Sequence, residues 1–194
     1  MEIGSLITGA ITDTLDVSLP LFRVELAIAA TIVLMLLCRM LPVLRRADSA
    51  LIALGGAGFA LWYAWCDLRG LPAAPWTLAD AAAVPARQEL FGGLLVFDSL
   101  TAAVRLLLAG FLVLYILFTK VSGIPDREDG ADFYTLVLGG VLGMCLMVSA
   151  NHLLMVFMAV EMASVPSYAL AAILKGRKAA SELAFRPLSR PARA

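Results

Sequence analysis

The sequence predicts an all-α membrane protein, a bundle of about five transmembrane helices with a short external hairpin between the second and third. Two observations carry this. Hydrophobic residues make up 61% of the 194 positions and charged residues only 15%, against about 45–50% apolar in a soluble domain. The apolar residues also fall into five runs near the length of about 20 that a helix needs to cross a bilayer, at 21–43, 49–67, 97–118, 133–150 and 152–174.

The first run follows "MEIGSLITGAITDTLDVSLP", which has no basic start and contains Glu2, Asp13 and Asp16. It therefore reads as a retained span rather than a cleaved leader. Glu25, with Arg23 nearby, opens this run at the outer interface, and we expect it to be solvated. "RRAD" at 45–48 breaks to the second run, where Trp62, Tyr63 and Trp65 sit near one end as an aromatic belt would. Between the second and third runs, "LRGLPAAPW" is a Pro/Gly turn region. "ELFGGLLVFD" has two short apolar stretches split by Gly92 and Gly93, the pattern of a β-hairpin. Asp98 is placed to cap the third helix. The acidic "TKVSGIPDREDGAD" leads to the fourth run, and the fourth and fifth are so close that they must form a tight antiparallel pair.

Three units follow: residues 1–130 with the first three helices and the 68–96 external segment, 131–178 with the fourth and fifth helices, and a basic tail at 179–194. Eleven Lys/Arg fall on one side of the membrane and three on the other, with Arg105 inside a span. Because cytoplasmic loops carry the excess, the N-terminus is expected outside and the C-terminus in the cytoplasm. Gly56 and Ala60, and Gly139 and Gly143, are spaced as helix-packing small residues. Cys38, Cys66 and Cys145 form no metal or disulfide pattern and are expected to be inert. With zero formal net charge and no basic–aromatic patch, the chain has no footprint for nucleic acid.

The chemistry concentrates in the fifth run. Glu161 lies near its middle, where an anion costs about 2.5–3.5 kcal/mol on insertion scales, so such acids normally face a bundle interior or a wet cavity. There, burial and a nearby cation oppose each other and can poise the group for proton exchange. Ser164 and Tyr168 lie three and seven residues on, along one helical stripe, and can give polar support. Pro166 leaves the carbonyl of Met162 without its donor and is expected to bend the helix. Arg105 lies about 10 Å into its helix and Glu161 about 13 Å into its own, which makes Arg105 a candidate charge partner. His152 reads as an interfacial cap. No fingerprint for a redox cofactor or a metal is present.

The stretch "FYTLVLGGVLGMCLMVSANHLLMVFMAVEMASVPSYALAAILKGRKAASE" (133–182) resembles the fourth and fifth helices of subunit N of the bacterial proton-pumping NADH:quinone oxidoreductase, respiratory complex I. "LFGGLLVFDSL" (90–100) is similar to that subunit's external hairpin and third helix start, and "SVPSYAL" after Glu161 is the most specific part. The resemblance implies that Glu161 is a proton-relay acid in a multi-pass protein of the bacterial inner membrane. It implies other complex I membrane subunits and the lipid bilayer as partners, and no cofactor in this chain, with NADH, FMN, iron–sulfur clusters and quinone held in or used by partner subunits. Subunits of that family continue with lysine-bearing helices, whereas "LAFRPLSRPARA" ends this sequence. We therefore expect a truncated chain that does not pump alone. The alternatives are a related cation/proton antiporter or hydrogenase subunit, or a non-catalytic membrane scaffold.

Overall fold

The computed structural model describes residues 11, 14–40, 48–70, 87–123 and 130–185, with side chains as far as residue 173. Among the described residues the fold comprises five long helices and one hairpin: α1 (Arg23–Met40), α2 (Ser49–Arg69), β1 (Arg87–Leu90), β2 (Leu95–Asp98), α3 (Ser99–Val121), α4 (Gly130–Ser149) and α5 (Leu153–Phe185). A π-helical turn, Thr14–Ser18, and a single α-turn, Leu19–Leu21, precede α1. Of the five expected spans, four are long and apolar enough to cross a bilayer: Ser49–Arg69, Ser99–Val121, Gly130–Ser149 and Leu153–Ile173. Helix α1 is shorter, at 18 residues, and carries Arg23, Glu25 and Arg39. Its apolar stripe Val24, Ala27, Ile28 and Met35 nonetheless joins the common core with Ala53, Ala57, Ala60, Leu112, Ile116, Leu138 and Cys145.

Small residues decide how closely the helices approach. A Cβ on Gly143 would fall 2.6 Å from the backbone nitrogen of Ala163, so α4 and α5 meet backbone to backbone there. Pro166 packs beside Gly139 and Gly140 one turn away. Gly56 of α2 likewise makes room for the Thr31 side chain of α1, whose hydroxyl donates to the Ala27 carbonyl at 2.7 Å. These are the stripes read from the sequence, and packing is their role.

The hairpin also forms where the sequence placed it. Arg87 to Leu90 pair antiparallel with Asp98 to Leu95, and the turn needs Phe91, Gly92 and Gly93 all at positive φ, which glycine adopts without the Cβ penalty. Its tip is tied down twice: Phe91 N donates to the buried Ser18 hydroxyl at 3.1 Å, and Asn151 Nδ2 donates to the Gly93 carbonyl at 2.9 Å. The hairpin thus locks onto the α4–α5 turn, closing one end of the bundle. At the opposite end Arg39 of α1 pairs with Asp132 of α4. Helix α5 runs on to Phe185, so the boundary expected at 178/179 falls inside a helix; residues 186–194 lie outside the described residues.

Candidate functional site

Two acids in apolar helices have different surroundings. Glu161 is exposed on α5, on the side that also presents Phe157, Met158, Val165 and Tyr168, the last 73% exposed. The opposite side of α5 packs inward, where Pro166, Ser167 and Leu170 line an apolar cleft of about 130 Å³ with Phe111, Tyr115, Gly140 and Met144. Among the described residues, nothing pairs with the Glu161 carboxylate. Ser164 turns its hydroxyl to the Glu161 carbonyl at 3.3 Å, and Ser167 donates to the Ala163 carbonyl at 2.9 Å, so the serines serve the backbone near Pro166. The helix continues through Pro166 without interruption. His152 starts the helix as expected, its Nδ1 accepting from Leu154 N at 3.3 Å.

Arg105 is not the partner of Glu161. Its Nη2 lies 2.6 Å from Glu25 Oε1, with both side chains wholly buried, and its Nη1 donates to the Leu21 carbonyl at 3.1 Å. The guanidinium also sits over the Phe97 ring, 5.2 Å from the centroid. Similar distances along two helices say nothing about which way around the bundle each side chain points. Arg105 faces α1, and Glu161 faces away from α1, α2 and α3.

Glu25 is the residue that the sequence reading misplaced. It lies within the bundle with Arg105 rather than in solvent. Beside it, Arg23 and Asp67 form a second pair, with Arg23 Nε 2.7 Å from Asp67 Oδ1. Asp67 is close enough for its charge to act on both Glu25 and Arg105. Two cations and two anions on α1, α2 and α3 therefore make a neutral cluster at the hairpin end, with Cys145 of α4 beside it. Pairing is what lets Glu25, Asp67 and Arg105 be buried beside the partly exposed Arg23, since an unpaired buried charge costs several kcal/mol. One signal was legible: an arginine well inside an apolar span needs an anion at its own depth, and Glu25 and Asp67 are both near that end.

Asp98 behaves as its position suggests. Its carboxylate accepts from Thr101 N at 2.7 Å, and that backbone N–H holds the carboxyl below the usual range. Among the described residues, no group of three or more metal-ligating side chains comes together.

Comparison with known proteins points one way. The chain is 36% identical over 106 residues to "NADH-quinone oxidoreductase subunit N 2" of Sorangium cellulosum, which is 52% of this chain and 21% of that protein. It is 32% identical over 139 residues to the protein of the same name from Symbiobacterium thermophilum, 70% of this chain and 26% of that protein. A third match, "NADH-quinone oxidoreductase subunit N" of Helicobacter hepaticus, is 36% identical over 104 residues. The matched stretch thus spans about a fifth to a quarter of these relatives' length. No family model matches the chain, and no solved structure matches it. Over the matched stretch, the chain is homologous to the N subunits of NADH-quinone oxidoreductases.

Proposed function

We propose that this chain supplies the N-terminal helices of an N-type subunit in a proton-translocating NADH:quinone oxidoreductase, and that Glu161 is its proton-exchanging acid. The observation that carries the proposal is the placement of a carboxylate near the middle of the apolar span Leu153–Ile173 of α5, on a side that the other described helices leave uncovered. In hydrocarbon such a group costs about 2.5–3.5 kcal/mol as an anion. It is therefore retained where further helices, in the assembled enzyme, give it polar company. The names of the relatives supply the enzyme, and the other membrane subunits of that enzyme are the partners. NADH, FMN, iron–sulfur clusters and quinone belong to subunits other than this one, whose part is the proton.

In this reading Glu161 gains and loses a proton as the charge of its covering groups changes. The freed Met162 carbonyl, left by Pro166, offers an acceptor one residue away. Ser164 and Tyr168 flank the path along the same helix. The chain spans the bacterial inner membrane with its N-terminus outside and the end of α5 in the cytoplasm, following the excess of Lys/Arg on that side.

The test is Glu161→Gln in a full-length relative assembled into its complex. Loss of proton translocation with assembly intact is the expected result. Unchanged translocation per NADH oxidised would assign the helix to a scaffold instead.

A further inference from the structure

Helices α2 and α3 leave a cleft between them of about 530 Å³, lined by Gly58, Leu61, Trp62 and Trp65 of α2 and by Leu106 and Gly110 of α3. Trp62 and Trp65 are 59% and 43% exposed, so the cleft opens outward from the bundle. Its two glycines do not serve helix packing. A Cβ on Gly58 would meet nothing within 4 Å, and one on Gly110 would meet only the end of the Leu61 side chain, at 3.9 Å. Gly56 and Gly143 differ, because a Cβ on either would collide with a neighbouring helix. Glycine weakens a helix interior relative to alanine. Gly58 and Gly110 gain no closer contact in exchange, and their effect is to keep the floor of the cleft empty.

One end of the cleft carries a charge. Gly58, Trp62, Trp65 and Arg69 follow one another at spacings of four, three and four residues, a single stripe of α2. Arg69 is the last residue of that helix, about 16 Å along the axis from Gly58. Its guanidinium lies over the Trp65 ring, 4.6 Å from the centroid, and the residue is exposed. Asp67, two residues away, is buried and held by Arg23, so it does not neutralise Arg69. The cleft therefore pairs an apolar slot inside a membrane span with a cation at the span's end. An apolar slot rejects a polar solute, and a guanidinium suits a phosphate, which it can hold through two parallel hydrogen bonds. A molecule with an anion at one end and a hydrocarbon chain at the other matches both parts.

We propose that the α2–α3 cleft is a binding site for an anionic phospholipid, with one acyl chain lying over Gly58 and Gly110 against Trp62, Trp65 and Leu106, and the phosphate on Arg69. The site is on α2 and α3 and stands apart from Glu161 on α5, so it holds or fails independently of the proton relay.

Tryptophan fluorescence tests it, because a brominated acyl chain quenches an indole that it touches. The chain has three tryptophans, and Trp76→Phe leaves the two that wall the cleft. This full-length chain is placed in nanodiscs of phosphatidylcholine containing a rising fraction of brominated phosphatidylglycerol or, in parallel, brominated phosphatidylcholine. Phosphatidylglycerol is expected to quench at about a fivefold lower fraction, the preference that one cation near an anionic headgroup confers. Arg69→Gln should remove the preference, and so should Gly58→Leu, which fills the floor of the cleft. Arg87→Gln, an exposed cation on the hairpin at the same end, should leave it unchanged. Equal quenching by the two lipids would mean ordinary boundary lipid and overturn the site. A preference that survives Arg69→Gln or Gly58→Leu, or that disappears with Arg87→Gln, would overturn it too. Fluorescence that neither lipid quenches would overturn it by showing the cleft filled by residues 71–86 or by a second copy of the chain. Should Gly58→Leu fail to fold, the exposed Arg69→Gln decides.

Discussion

Removing one member of the Glu25–Arg105 pair is expected to harm the fold more than removing both. Each single change leaves a charge stranded in the bundle, and breaking a buried pair in this way costs about 3–5 kcal/mol. Replacing both partners by apolar residues of similar size is often neutral or stabilising, by about 1–4 kcal/mol. Independent sites would give about 6–10 kcal/mol for the double variant, so a coupling of at least about 3 kcal/mol is expected from the cycle. The lower end of the range applies here, because a chain denatured in lipid also finds partners for its polar groups. The two singles should differ with pH. In Arg105→Met the stranded Glu25 can take up a proton and shed its charge, so that variant recovers on acidification by at most about 1.4 kcal/mol per pH unit. In Glu25→Leu the guanidinium cannot lose its proton, yet it keeps the Leu21 carbonyl and the Phe97 ring, and its deficit stays flat with pH. The assay is unfolding by detergent titration of the purified chain, read by circular dichroism at several pH values. Additive single-variant losses, with no coupling, would refute the reasoning that this contact is a closed ion pair.

Gly143→Ala is expected to lose about 1–3 kcal/mol by overpacking, since its Cβ would meet the α5 backbone. Gly58→Ala, with nothing within 4 Å of the added atom, should instead gain up to about 1 kcal/mol from helix propensity, and the same unfolding assay compares the two. Asp98→Ala should cost about 0.5–2 kcal/mol through loss of the α3 cap, whereas Asp98→Asn keeps it. Because the folded-state pKa of Asp98 is depressed, its contribution is complete above the unfolded value of about 3.9 and is lost as pH falls through the folded value. The Asn variant should lack that acid-range loss, which a pH series of melting curves would detect. Gly93→Ala, at φ +85°, should loosen the hairpin tip and speed hydrogen exchange at Asn151 N, which donates to the Leu94 carbonyl at 3.0 Å.

The order of the apolar runs, the hairpin at "ELFGGLLVFD", the Asp98 cap and the positions of the small packing residues were all legible in the sequence, because each is set by residues adjacent in the chain or by one helical face. That a carboxylate, Glu161, falls inside the apolar span of α5 was legible for the same reason. What sequence could not supply was the direction in which each side chain points around the bundle. Linear depth paired Arg105 with Glu161. The packing of α3 against α2 and α1 turned Arg105 instead to Glu25, converting an acid expected at the solvated end of a span into the wholly buried half of an ion pair. Helix rotation is fixed by contacts among residues far apart in the chain, such as Gly56 with Thr31 and Gly143 with Ala163, and only the assembled bundle decides them.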